Sequence, residues 1–172
     1  MVRPLPPVAI DADGWFHTGD AGYLKGNHLY LTERIKDLFK TSNGKYISPQ
    51  ALETRLGIDR YIDQIAIIAD QRKFVSALIV PVYPLVEAYA REKGIAYNTL
   101  DELLQHPKIQ ALFRARIDTL QQAFAHYEQV KHFTLLPKPF SMERGELTNT
   151  LKLRRSVVAK NYKEVIDKMY TE

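Results

Sequence analysis

The sequence predicts an α+β domain: a small mixed sheet packed with helices in two layers, preceded by a β-hairpin junction and carrying a helical insertion around 84–127. Three observations predict it. Two apolar, β-branched runs at 62–69 and 74–82 are split only by Asp70-Gln71-Arg72-Lys73, which reads as a buried hairpin. A separate hairpin is written at 21–25 and 28–32, with Gly26-Asn27 supplying the two-residue connection that such ribbons favour. Between the second apolar run and a further strand-like run at 130–136, the apolar spacing turns from strand-like to helical.

Each element follows in order. Residues 1–18 begin with Pro4, Pro6 and Pro7, which cannot sustain a helix or donate to a ladder, so this stretch is expected to be extended or disordered. After the first hairpin, Ser48-Pro49 with Glu53 reads as a helix start, with serine as the cap and proline in the first turn, and Gly57 closes it. Helical spacing returns at 84–93 and stops at Gly94. Thr99 with Glu102 three places on reads as a capping box, and His106-Pro107 breaks that helix. The longest helix is expected from 108 to about 127, with Ile109, Leu112, Phe113, Ile117, Leu120 and Phe124 on one stripe. Such a stripe could support peripheral membrane contact, but the sparse lysines of the polar face favour core packing. Residues 137–144 read as a loop and 153–170 as a terminal helix. No internal repeat is visible.

Composition bounds the function. The chain has 172 residues, enough for one substantial core with a short leading appendage. No apolar run approaches the ~20 residues needed to cross a bilayer, and the start lacks a signal-peptide layout, so a cytoplasmic location is the default expectation. The absence of cysteine excludes disulfides and thiolate chemistry. A net charge of +4 suits anionic small molecules and is too small for a nucleic-acid footprint.

Chemistry gathers in three blocks. Phe16-His17-Thr18-Gly19-Asp20 precedes the first hairpin, and Arg34 to Tyr46 follows it with Asp37-Leu38-Phe39-Lys40-Thr41-Ser42 and Gly44-Lys45-Tyr46. Because the turn lies midway, Asp20 and Arg34 return to one end of the ribbon, where one small ligand could touch both. The third block is Gly145-Glu146-Leu147-Thr148-Asn149-Thr150-Leu151-Lys152-Leu153-Arg154-Arg155. Lys152, with an ordinary pKa near 10.4, is a fixed positive charge at neutral pH. The five histidines have no metal-ligand spacing, no Ser/His/Asp set is legible, and no metal site is expected.

Together these blocks resemble the AMP-forming acyl-CoA synthetases, in the superfamily shared with luciferases and peptide-synthetase adenylation domains. They are most like the long-chain fatty acid CoA ligase branch. The resemblance implies that residues 1–35 are terminal strands of a large N-terminal domain and that 36–172 form the mobile C-terminal domain. It further implies that Asp20 and Arg34 bind the nucleotide, Lys36 is the hinge, and Lys40, Asn43, Gly44 and Lys45 form the loop on the CoA and thioester side. Lys152 would be the catalytic lysine at the acyl carboxylate and α-phosphate. Asn149 stands where that motif carries proline, which bears on loop stiffness.

ATP, CoA and Mg2+ would serve the full-length enzyme, with fatty acid as the other substrate and none of these held tightly by this piece alone. The phosphate loop, adenine pocket and acyl tunnel of such enzymes are missing, so the chain is read as an inactive C-terminal piece whose missing partner is the large domain. Two rivals remain: an adenylate-forming ligase that delivers to a carrier protein, and a stand-alone binding or regulatory domain.

Overall fold

The computed structural model describes residues 10–171, with the side chains of Thr32 and Glu33 excepted; the proline-rich expectation for residues 1–9 lies outside this range. The chain divides into two compact units between Leu38 and Phe39, where the expected division lay between 35 and 36.

The first unit is the hairpin. Strand β1 (Asp20–Lys25) pairs antiparallel with β2 (His28–Arg34), and the register sets Lys25 opposite His28 and Asp20 opposite Arg34. Gly26 takes φ +60° at the first turn position, as a type II′ connection requires. Tyr23 and Tyr30 stack across the ribbon with ring centroids 5.2 Å apart. A short 3-10 turn, Ile35–Asp37, follows.

The second unit opens with two short strands, β3 (Phe39–Lys40) and β4 (Tyr46–Ile47), paired antiparallel around a tight loop. Ser48 then caps α1 (Pro49–Leu56) by accepting a bond from Ala51 N–H, and Gly57 ends the helix, as the residues dictate. The central sheet has the order β5 (Ile62–Ile68), β6 (Val75–Pro81), β7 (Val130–Leu135). β5 and β6 are antiparallel and β6 and β7 parallel, so the sheet is mixed. The parallel step needs a long crossover. The helical insertion supplies it, as α2 (Tyr83–Glu92), α3 (Leu100–Gln105) and α4 (Pro107–Leu120).

The α+β class holds, but the layering differs from the two layers expected. Val75, Ala77 and Ile79 of β6 join α1 to α4 in one core cluster, while Leu78 and Val80 join Phe140, Val158 and Ile166 in another. Helices therefore cover both faces, which explains why β6 is apolar at nearly every position instead of alternating.

Two helix expectations are corrected. α4 ends at Leu120, well short of 127, because Gln121 is buried and turns its side chain to the chain beyond: its Oε1 accepts from Val130 N–H at 2.8 Å. Ile109, Phe113 and Ile117 are fully buried and Leu112, Leu120 and Phe124 pack against the same core, so the stripe serves packing and is not presented to a membrane. The terminal helix is two, α5 (Arg155–Asn161) and α6 (Lys163–Lys168), broken at Tyr162, whose ring packs edge-on against Phe140. No helix among the described residues is long and apolar enough to cross a membrane.

Candidate functional site

In the first unit, strand pairing brings Asp20 and Arg34 together, with Arg34 Nε 3.5 Å from Asp20 Oδ1. Thr18 Oγ1 accepts from Asp20 N–H, and Ile35 N–H donates to Gly19 O, so the strand ends are pinned on both sides. The result is a half-buried carboxylate with two acceptor oxygens beside an exposed planar donor fork at one end of the ribbon. Lys36 sits in the 3-10 turn with its side chain exposed.

In the second unit, the β3–β4 loop is built on Thr41. Thr41 N–H donates to Lys45 O at 2.9 Å, Lys45 N–H donates to Thr41 Oγ1 at 3.1 Å, and Gly44 N–H donates to Thr41 O at 2.9 Å. Gly44 completes the turn at φ +75°, a conformation glycine adopts without a Cβ penalty. The loop rests on the turn between β5 and β6: Ser42 N–H donates to Arg72 O and Asn43 Nδ2 donates to Lys73 O. Lys40 lies over the Tyr46 ring at 5.9 Å and Lys45 over the Tyr127 ring at 5.5 Å, which leaves two exposed ammonium groups framed by aromatic faces.

The loop that carries Lys152 is built the same way on Thr148. Thr148 N–H donates to Lys152 O at 2.8 Å, Lys152 N–H donates to Thr148 Oγ1 at 3.1 Å, and Leu151 N–H donates to Thr148 O at 2.9 Å. Leu151 stands where the first loop has Gly44, at φ +59°. The sequence read as free of internal repeats thus contains a short structural one: threonine, lysine four places on, and a left-handed residue just before the lysine.

What fixes this second loop is Glu146, which sequence reasoning missed as more than a motif letter. Its side chain is 1% exposed. Its carboxylate accepts from Ser141 N–H, from the Arg144 guanidinium at 2.9 Å and from Asn161 Nδ2 at 3.1 Å. Burial alone would raise its pKa; the bonds from Arg144, Asn161 and Ser141 outweigh burial and hold it below the ordinary carboxylate value. Directly above it, Arg154 N–H donates to Glu146 O and Leu147 bridges Leu153, closing the neck of the Lys152 loop.

A second missed carboxylate is Glu53 on α1. It accepts from Ile67 N–H and pairs with both terminal nitrogens of Arg155, whose guanidinium also lies over the Phe39 ring. The residues just after Lys152 are therefore tied to the strand that opens the second unit. No hydrogen bond or ion pair joins the two lysine loops to each other among the described residues, so each is anchored separately. The histidines cap or pair locally, as when His106 Nδ1 accepts from Lys108 N–H at the start of α4. Among the described residues no three His, Asp or Glu side chains gather to hold a metal.

These features define a class: an α+β domain, led by a hairpin, that offers solvent two rigid lysine loops, one before its first helix and one before its last pair. Residues 36–172 match the model of the AMP-binding enzyme C-terminal domain, and the chain belongs to that family. Among curated relatives, it is 35% identical over 167 residues to long chain acyl-CoA synthetase 7, peroxisomal, of Arabidopsis thaliana, covering 95% of this chain and 24% of that protein. It is 32% identical over 162 residues to a long-chain-fatty-acid–CoA ligase of Mycobacterium tuberculosis, covering 93% of this chain and 27% of that protein. The chain thus spans about a quarter of the length of the curated relatives it matches. The adenylation domain of a carboxylate reductase from Mycobacterium chelonae superposes with a TM-score of 0.73 at 24% identity, over 95% of this chain and 24% of that one, a likeness of fold.

Proposed function

We propose that this chain serves as the C-terminal domain of a long-chain fatty acid CoA ligase, presenting Lys152 for one half-reaction and the 40–45 loop for the other. In the first, a fatty acid carboxylate oxygen attacks the α-phosphorus of ATP and pyrophosphate leaves. In the second, the CoA thiolate sulfur attacks the acyl carbonyl carbon and AMP leaves. The observation that carries this reading is the Thr148 loop, which holds an exposed lysine in one rigid presentation within a block that resembles that branch's C-terminal lysine motif.

Each group has a defined task. The Lys152 ammonium, brought beside the carboxylate and α-phosphate, offsets the negative charge gathered as they join, and its preorganised loop spares the reorganisation a free lysine would need. Asp20 accepts from the ribose hydroxyls while Arg34 holds the acid in place and adds donors of its own. Lys36, in the short turn at the end of the first unit, is the hinge at which backbone angles change between half-reactions. Lys40, Asn43, Gly44 and Lys45 line the approach of the CoA arm, with the lysines facing its phosphates. Mg2+ would be held outside this chain, with the triphosphate. The location in this reading is cytoplasmic, and any peripheral membrane contact of the whole enzyme would use a surface other than the buried α4 stripe.

The test separates the half-reactions in a full-length ligase carrying this chain. Lys152→Ala is expected to slow fatty acid-dependent pyrophosphate exchange by on the order of 10²-fold, the scale of losing one preorganised donor, while sparing thioester formation from supplied acyl-adenylate. Lys45→Ala is expected to do the reverse. Equal loss of both half-reactions in either variant would overturn the division of labour.

A further inference from the structure

The two lysine loops share three closing bonds. They differ at the residue before the lysine and in the second partner of the threonine hydroxyl, Lys45 O in the first loop and Thr150 Oγ1 in the second. Gly44 fits its left-handed position without strain, whereas Leu151 carries a Cβ into a conformation that L-residues disfavour. Among the described residues nothing compensates. The Leu151 side chain is 67% exposed and belongs to neither core cluster, and the bond its N–H makes to Thr148 O is one that any residue except proline could make. Strain kept at an exposed position points to a use for the side chain itself.

We propose that Leu151 is a substrate-contacting residue that selects for the apolar acyl chain, packing on the methylenes next to the carboxylate that Lys152 meets. This rests on the function proposed above. Leu151 directly precedes Lys152 and both are exposed on the one loop, so an acid whose carboxylate meets the Lys152 ammonium brings its alkyl chain up to the surface on which Leu151 stands. A fatty acid offers only apolar surface there. An apolar residue one place before the lysine lets the loop read two features of the substrate in one approach, its charge and the alkyl chain behind it.

The experiment uses pyrophosphate exchange in the full-length ligase with hexadecanoate and with 2-hydroxyhexadecanoate, which places a hydroxyl where Leu151 should pack. Leu151→Gly, Leu151→Asn and Leu151→Met are compared, and urea unfolding of this chain should find Leu151→Gly no less stable than the parent. Met should retain activity, while Gly and Asn should lower kcat/KM for hexadecanoate about tenfold, the scale of one to two lost methylene contacts. The preference for hexadecanoate over its 2-hydroxy analogue should narrow about tenfold in Leu151→Asn, a coupling between residue and substrate that only their contact produces. Full activity in Leu151→Gly would overturn the inference. So would equal losses on both substrates, which would place the contact on polypeptide. Lys152→Ala run alongside keeps the two claims apart: if it leaves exchange intact, the functional reading fails on its own.

Discussion

The Thr41 and Thr148 loops are near-copies in backbone bonding, yet they are held in different ways. The first is propped from below, through Ser42 and Asn43, onto the turn between β5 and β6. The second is held at its neck, through the chain on either side of it, above the buried carboxylate of Glu146. A loop propped along its length keeps its shape through many small contacts. One held at the neck depends on a few anchors at its ends, Glu146 on one side and the Glu53–Arg155 pair on the other. The left-handed position follows the same division: glycine where the loop only needs to turn, leucine where a side chain is displayed.

The sharpest test of this contrast is Glu146→Gln. It removes the charge that Arg144 bonds and weakens the acceptor that Asn161 and Ser141 share, and should lower stability by on the order of 2 kcal/mol at neutral pH, the scale of hydrogen bonds to charged groups. The pH dependence gives an independent check. Because the folded carboxyl sits below its ordinary value of 4.5, its contribution is fully present above that pH and is lost as pH falls through the folded value. Unfolding followed between neutral pH and acid should therefore show a shallower acid decline in Glu146→Gln. Hydrogen exchange in the variant should rise at 147–153 and stay unchanged at 41–45. A parallel rise in both loops would break the comparison.

Threonine removal should separate the loops by burial. Thr41 is 5% exposed, and its hydroxyl both accepts from Lys45 N–H and donates to Lys45 O. Thr41→Val leaves the Lys45 N–H without its acceptor, while Lys45 O keeps the bond from Thr41 N–H, and should cost about 1–3 kcal/mol in urea unfolding. Thr148 is only partly covered, so water can replace its hydroxyl. Thr148→Val should cost less than about 1 kcal/mol while still slowing the half-reaction proposed above for Lys152. Equal costs would mean that the second loop is packed as firmly as the first.

Much of this was legible from local pattern. The Gly26-Asn27 hairpin and its return of Asp20 to Arg34, the Ser48 cap, the paired apolar strands and the Thr99 cap are all decided within a few residues by turn, cap and periodicity rules, and they stand where expected. What escaped was decided at a distance. α4 looks able to continue past Leu120 until the Gln121 side chain is seen bonding Val130, and no local rule announces that. The pairs Glu53–Arg155 and Glu146–Asn161 likewise join residues far apart in the chain. The twin loops fall between these cases: Thr41 and Lys45, and Thr148 and Lys152, share a four-residue spacing that is written in the sequence. With leucine in place of glycine at the turning position, the second copy lacks the one residue type that would have marked it.

Gly44→Ala sharpens that last point at lower amplitude. An added Cβ at Gly44 meets no atom within 4 Å, so the substitution isolates backbone strain and should cost about 1 kcal/mol in urea unfolding. A negligible cost would show that the left-handed position is cheap here, and the case for a purpose at Leu151 would weaken with it.

The smallest effects should differ in sign. Asn149 and Ser42 occupy the same place in their loops, the second residue of a four-residue turn closed by Leu151 N–H to Thr148 O or by Gly44 N–H to Thr41 O. Proline is favoured there, since its fixed φ suits the turn. Among the described residues the Asn149 N–H makes no hydrogen bond, so Asn149→Pro removes nothing from the folded loop and restricts the unfolded chain, for an expected gain of about 0.4–1 kcal/mol. The Ser42 N–H donates to Arg72 O at 2.9 Å, and Ser42→Pro deletes that prop, for an expected loss of about 1 kcal/mol despite the same entropic benefit. Urea midpoints moving in opposite directions would confirm that one loop is propped and the other held at its neck. If both proline variants stabilise the chain, the bond from Ser42 carries no weight and the two loops are alike in support as well as in shape.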